Sequence, residues 1–136
     1  MRILIAENNQ HDSDLLIHQL RKSDMADHVK IVPNGREAWD FLATKRSDEP
    51  LIAIFLTLKL PSLSGLKLLC RIKSHPELHK TPVIVMTSTN MIEERDECRR
   101  LGVDGFIAKP ITLCAFTKIL ADVFHHPPHR TLTRTE

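Results

Sequence analysis

The chain contains no tyrosine, a single tryptophan and only three cysteines in 136 residues. Cys70, Cys98 and Cys114 fall in helix-like segments at spacings that fit neither metal ligation nor paired disulfides, so they read as reduced thiols, packed or half-exposed, in a cytoplasmic protein. No apolar run approaches the ~18 residues of a membrane span. No signal-peptide pattern opens the chain, and no segment repeats. GxGxxG, P-loop and GxSxG motifs are missing, which argues against a dinucleotide site, a P-loop NTPase and a nucleophile-elbow hydrolase. The formal charge is only +2, with both signs spread along the chain, so nothing calls for nucleic acid or a membrane surface. Enzymatic activity is not expected.

What is present is one domain's worth of alternating elements. The most informative is Ile52-Ala53-Ile54-Phe55-Leu56-Thr57, a continuous apolar run closed by a hydroxyl and stopped four positions later by Pro61. Such a run reads as a strand buried on both faces of a parallel sheet. Arg2 to Ala6 is a similar short run, and Glu7-Asn8-Asn9-Gln10-His11-Asp12 follows it as a polar loop. That loop lacks the hydroxyl- and glycine-rich character that a flavin-phosphate carrier needs. Asp12 or Ser13 is placed to cap a helix with an apolar stripe of Leu15, Leu16, Ile17 and Leu20. His28 to Val32 reads as a second strand, and Asn34 as the cap of a helix bearing Ala38, Trp39, Phe41 and Leu42.

Beyond Gly65 a helix carries Leu66, Leu69, Cys70 and Ile72 to about His75-Pro76. Pro82 to Thr87 repeats the pattern of a buried apolar run with a terminal hydroxyl. A charged helix from about Met91 to Leu101 stops at Gly102, which suits a left-handed C-terminus. Asp104 to Ala108 is a fifth strand, and Thr112 to Phe124 the last helix. Residues 1–124 form the domain. Residues 125–136, with His125, His126 and His129 beside Pro127-Pro128, read as a loosely ordered polar tail rather than a metal site. No second domain follows, so neither DNA binding nor an attached catalytic output is expected.

Five strands alternating with five helices predict an α/β fold, a doubly wound parallel sheet with right-handed crossovers and strand order 2-1-3-4-5. Ligands of such sheets bind beyond the carboxyl ends of the strands. Glu7, Asn8, Thr57, Thr87 and Lys109 each end a strand or begin the loop after it. They are therefore expected to converge at one lip.

Four stretches, Ile3-Leu4-Ile5-Ala6-Glu7-Asn8-Asn9, Leu56-Thr57-Leu58-Lys59-Leu60-Pro61 with Gly65, Val85-Met86-Thr87-Ser88 and Gly105-Phe106-Ile107-Ala108-Lys109-Pro110, occur in order and at the right separations to resemble response-regulator receiver (CheY-like) domains. The resemblance covers about residues 2 to 124. It implies the five-stranded flavodoxin/CheY-like fold and a role in two-component signalling. In the family, two acidic residues after strand 1 and an aspartate ending strand 3 hold Mg²⁺, and that aspartate accepts a phosphoryl group from a histidine kinase. A Thr/Ser ending strand 4 and a lysine after strand 5 bind the phosphoryl oxygens. Carried over residue by residue, Glu7 is the first acid, Asn8 stands at the second, and Thr57 stands at the phosphoacceptor. Lys59 falls where a backbone carbonyl ligates metal, Thr87 and Lys109 are retained with Ser88 beside them, and Phe106 occupies the aromatic switch position.

The resemblance thus implies a degenerate pocket. A typical receiver offers three carboxylates and one lysine, whereas Glu7, Lys109 and an inward Lys59 sum to 0 or +1. Mg²⁺ needs carboxylate ligands, so no metal and no cofactor are expected. A threonine hydroxyl needs a base to become nucleophilic, so Thr57 does not replace an aspartate. The expected role is a phosphorylation-independent pseudo-receiver: a protein–protein interaction module that docks on a histidine kinase or larger regulator, or dimerises through helix 4, strand 5 and helix 5. Two alternatives stay open at this point. Phosphorylation can fall on another acceptor such as Asp12 or Asp14, or the Lys109/Thr87 pocket can bind an anion.

Overall fold

The computed structural model describes residues 2–44, 50–87 and 92–125. Its elements in chain order are β1 (Arg2–Ala6), α1 (Gln10–Arg21), a single 3-10 turn (Ala26–His28), β2 (Val29–Val32), α2 (Gly35–Thr44), β3 (Leu51–Thr57), α3 (Gly65–Ser74), β4 (Val83–Thr87), α4 (Ile92–Arg100), β5 (Gly105–Ala108) and α5 (Leu113–His125). The strands form one parallel sheet in the order β2-β1-β3-β4-β5, as the alternation of elements predicts.

The strands that read as continuous apolar runs are the central ones, because both of their faces are covered. Side chains alternate across the sheet. Leu4, Ala6, Ile54, Leu56, Val83 and Val85 join the core beneath α2, α3 and α4, while Ile3, Ile5, Ala53, Phe55, Ile84 and Met86 join the core beneath α1 and α5. In the second layer Phe55 stacks on Phe116 of α5 at a centroid distance of 4.8 Å. Burial of each such side chain stabilises the fold by about 1.5–3 kcal/mol. Two buried layers therefore hold the strand ends, and with them the lip residues, in fixed register.

Several boundaries differ from the sequence reading, each for a local reason. The α1 cap is Asn9, not Asp12 or Ser13: the Asn9 side chain accepts from the Asp12 N–H at 2.9 Å and the helix opens at Gln10. This frees the Asp12 carboxylate for other work. Leu15 is 41 % exposed, outside the stripe of buried Leu16 and Leu20. His28 belongs to the 3-10 turn, so β2 starts one residue later. Helix α5 includes His125, the first residue assigned to the tail. His126, His129, Met91 and Ser88 lie outside the described residues. Asn34 does cap α2, accepting from the Glu37 N–H at 2.8 Å, and Gly102 adopts φ +93°, the left-handed conformation expected after α4.

One glycine bears directly on the site. A Cβ on Gly65 would collide with the Thr57 carbonyl oxygen and come within 2.6 Å of the Leu58 Cα. With the Gly65 N–H donating to the Leu58 carbonyl at 2.9 Å, the start of α3 is seated on the end of β3. Only glycine permits that approach.

Candidate functional site

The carboxyl ends of β1, β3, β4 and β5 open into a cleft of about 360 Å³ lined by Glu7, Asn8, Asn9, Asp12, Thr57, Leu58, Lys59, Met86, Thr87, Glu94 and Lys109. The sheet brings Glu7, Asn8, Thr57, Thr87 and Lys109 to one cleft, and Lys59 lines it with them. Glu7 (5 % exposed) and Thr57 (8 %) are buried at its base, Asn8 and Lys59 are exposed at its rim, and Thr87 is half-buried.

Lys109 organises the base. Its Nζ lies 2.6 Å from Glu7 Oε1 and 3.5 Å from Asp12 Oδ2, and it donates to Thr57 Oγ1 at 3.2 Å. The Lys109 backbone N–H donates to the Thr87 carbonyl at 2.8 Å, which fixes where the side chain begins. The second oxygen of Glu7 accepts the Asn9 N–H at 2.9 Å. Glu7 Oε2 is thus hydrogen-bonded and Oε1 is ion-paired with Lys109 outside hydrogen-bond geometry, while the Thr57 hydroxyl is already an acceptor for the ammonium group.

Two acidic residues join the cleft beyond the residues first counted there. Asp12 reaches it because Asn9 took over the helix cap. Glu94 reaches it from α4, four residues before the buried Cys98, and so on the same core-facing stripe. Its Oε1 is buried without a hydrogen-bond partner. Spacing from an apolar anchor is the signal that would have found it. With Glu7, Asp12 and Glu94 against Lys59 and Lys109, the described cleft carries one net negative charge, correcting the neutral or positive estimate from the strand ends alone. Asp14 is not part of it: its carboxylate accepts from the exposed Gln10 side chain at 2.9 Å.

For a divalent cation this donor set fits poorly. Mg²⁺ asks for nearly octahedral oxygen ligands, usually with one or two free carboxylates. The only carboxylate at the end of β1 is held by Lys109, Asn8 supplies an amide, and β3 ends in a hydroxyl. No group of three His, Cys, Asp or Glu side chains among the described residues is arranged to hold a metal. An anion would share this cleft with Asp12 and Glu94, and the Lys109 ammonium already lies within 3.5 Å of oxygens of Glu7, Thr57 and Asp12.

Phe106 lies on β5 away from this base. Its half-buried ring packs against the core under α2–α4, with the guanidinium carbons of Arg95 and Arg99 at 4.8 and 5.3 Å from its centroid. The exposed flanks of α4 carry paired charges, Arg99 with Asp96 and Arg100 with Glu97.

Comparison with known proteins places this arrangement. The family described as response regulator receiver domain matches residues 3–121. Among curated proteins, the two-component response regulator-like APRR5 of Arabidopsis thaliana is 30 % identical over 111 residues, 82 % of this chain and 19 % of that protein. The 3',5'-cyclic-nucleotide phosphodiesterase regA of Dictyostelium discoideum is 29 % identical over 112 residues, 82 % of this chain and 14 % of that protein. The chain thus spans less than a fifth of either relative. Among solved structures, the bacteriophytochrome response regulator AtBRR is 30 % identical with a TM-score of 0.79, over 90 % of this chain and 91 % of that one. No helix among the described residues is long and apolar enough to cross a membrane.

Proposed function

Because this chain belongs to the response regulator receiver domain family, whose members act in two-component signalling by engaging histidine kinases and other signalling proteins, we propose that it is a pseudo-receiver: a domain that keeps the family's shape and contact surfaces while its cleft neither binds Mg²⁺ nor accepts a phosphoryl group. The observation that carries this reading is the closed ion and hydrogen-bond set of Lys109, Glu7, Thr57 and Asp12.

An acyl-phosphate forms on a carboxylate that is ionised at neutral pH and steadied by a metal. Thr57 offers a hydroxyl whose pKa is far too high for that without a base. Glu7, the nearest carboxylate on β1, is tied to Lys109. Asp12 is in the cleft but faces Lys109 at 3.5 Å, and no three acidic side chains among the described residues are arranged there to hold a metal, which supports the closed set rather than a second acceptor. The same set supports no enzymatic role for the cleft.

The reading extends to the surface. Phe106 is held under two guanidinium groups, an arrangement worth about 0.5–1 kcal/mol for each exposed contact, and no phosphorylation event is available to move it. On this reading the domain presents one fixed face to a histidine kinase or larger regulator, or to a second copy, in the cytoplasm.

The test is a Mg²⁺ titration followed by backbone NMR of wild type and of N8D/T57D. The expected result is no saturating shift at Glu7 or residue 57 of wild type up to about 10 mM, and saturable binding once two carboxylates are restored. Saturable low-millimolar binding by wild type would overturn the reading.

A further inference from the structure

On the α2–α3 face, well away from the cleft, we propose a docking site for an acidic peptide segment that carries one apolar anchor residue. The inference concerns a different surface and does not depend on the state of the cleft.

Helix α3 has the most lopsided charge in the molecule: Lys67, Arg71 and Lys73, with no acidic residue in its ten. Lys73 is turned inward and satisfied, its Nζ 3.3 Å from Asp104 Oδ2. Lys67 and Arg71 stand four residues apart on one exposed stripe. No carboxylate among the described residues pairs with either. A solvated surface helix that is only decorative usually mixes both signs, as α4 does with Arg99–Asp96 and Arg100–Glu97.

The cations are also organised. The Arg71 guanidinium carbon lies 5.6 Å from the centroid of Trp39 on α2, and the Trp39 ring meets the His75 ring edge-on at 6.1 Å. A guanidinium laid on an aromatic face gives up little conformational freedom on binding and keeps its N–H edge for a carboxylate. His75 is fixed as well: its Nδ1 accepts the N–H groups of Glu77 and Leu78 at 3.0 and 3.2 Å. The stripe of α2 that bears Trp39 continues through exposed Arg36, three residues earlier. Of the acids of α2, Glu37 is turned about 160° around the helix from Trp39, whereas Asp40 follows Arg36 by four residues and shares its side, so Arg36 is not counted among the docking cations.

Beside His75 a groove of about 300 Å³ opens over Leu42, Leu51 and Leu78, with Glu77 on its rim. That carboxylate repels an acidic group at this end, and the leucines give the otherwise mostly polar groove a small apolar floor that one aliphatic side chain can cover. Charge complementarity thus assigns the orientation: carboxylates toward Lys67 and Arg71, and a leucine-sized residue in the groove.

Trp39, the sole tryptophan, reports on the event directly. The probe is a blocked peptide of glutamates flanking one leucine, titrated without metal or phosphodonor while following Trp39 fluorescence and backbone NMR shifts. Saturable binding is expected, with shifts confined to α2, α3 and His75–Leu78. Reversal in K67E/R71E, or neutralisation in K67Q/R71Q, should weaken it about tenfold or more, the loss of at least about 1.4 kcal/mol. High salt should do the same, and a peptide with serine for leucine should bind more weakly. An unsaturable response, shifts centred on α4 and β5, or equal binding by the folded charge variants would overturn the proposal. Equal binding by the serine peptide would remove the groove from it.

Discussion

Two lysine–carboxylate pairs sit at opposite edges of the same sheet. At the amino edge Lys73 meets Asp104, whose Oδ2 also accepts the Val83 N–H at 2.6 Å, while the Asp104 N–H donates back to the Val83 carbonyl at 2.8 Å. At the carboxyl edge Lys109 meets Glu7. Both pairs are largely buried, with side-chain exposures of 15 and 6 % for Lys73 and Asp104 and of 12 and 4 % for Lys109 and Glu7. The first is a clamp that ties α3 to the starts of β4 and β5. The second has an open cleft beside it, plus Asp12 and Thr57 as reserve partners for the ammonium group. The same ionic chemistry is structural where the carboxylate is also tied to a strand backbone, and it acts as a stopper where it borders an open cleft with reserve partners.

If that contrast is right, breaking the clamp does the most damage. K73M leaves Asp104 buried without its cation and should cost about 3 kcal/mol in urea unfolding at neutral pH. The pH dependence follows from burial, which holds the Asp104 carboxyl above its usual range despite the opposing pull of Lys73 and of the Val83 N–H. A carboxyl whose folded pKa is raised contributes stability below its unfolded pKa, and that contribution is lost as pH rises through the folded value. The K73M penalty should therefore shrink toward acid pH. D104N, which cannot ionise, should flatten this slope in melts collected across the acid range, and an unchanged slope would reassign it to another group.

E7Q should be milder, about 1 kcal/mol, because Lys109 keeps Asp12 and Thr57 and water can enter the cleft. A loss as large as that of K73M would make the cleft pair a second clamp and erase the distinction. Smaller still is R95Q/R99Q, which strips both cations from Phe106. The expected cost is about 1 kcal/mol or less, with NMR shifts at Phe106 and none at Glu7 or Lys109. Shifts spreading into the cleft would show that surface and pocket remain coupled.

Much of this was legible in the residues. The runs at Ile3–Ala6, Ala53–Thr57 and Val83–Thr87 declare buried strands, and their shared hydroxyl or acidic ends predict the lip before any geometry is known. The pairing of Lys109 with Glu7 follows from that convergence. What was not legible depended on competition between equivalent groups. Asn9, Asp12 and Ser13 are all capable caps, and the choice of Asn9 is what sends Asp12 to Lys109. Glu94 looked like one more charge on a polar helix; only the burial of Cys98 one turn later turns it inward. Burial also pushes the Cys98 thiol up, helped by the neighbouring Glu94 and Glu97 charges, so this cysteine is a packing residue rather than a nucleophile. Leu15 stays 41 % exposed although it lines a small pocket with Leu16, Met86, Pro110 and Ile111, a position the apolar stripe alone does not reveal.

The claim at the centre is that the cleft holds its own lysine too well, and its carboxylates too poorly placed, to carry a phosphoryl group. Incubation of the purified chain with acetyl phosphate and Mg²⁺, followed by intact mass measurement, tests it most directly. Wild type should keep its unmodified mass, and N8D/T57D should gain one phosphoryl group. A wild-type adduct that is acid-labile and released by hydroxylamine would contradict it.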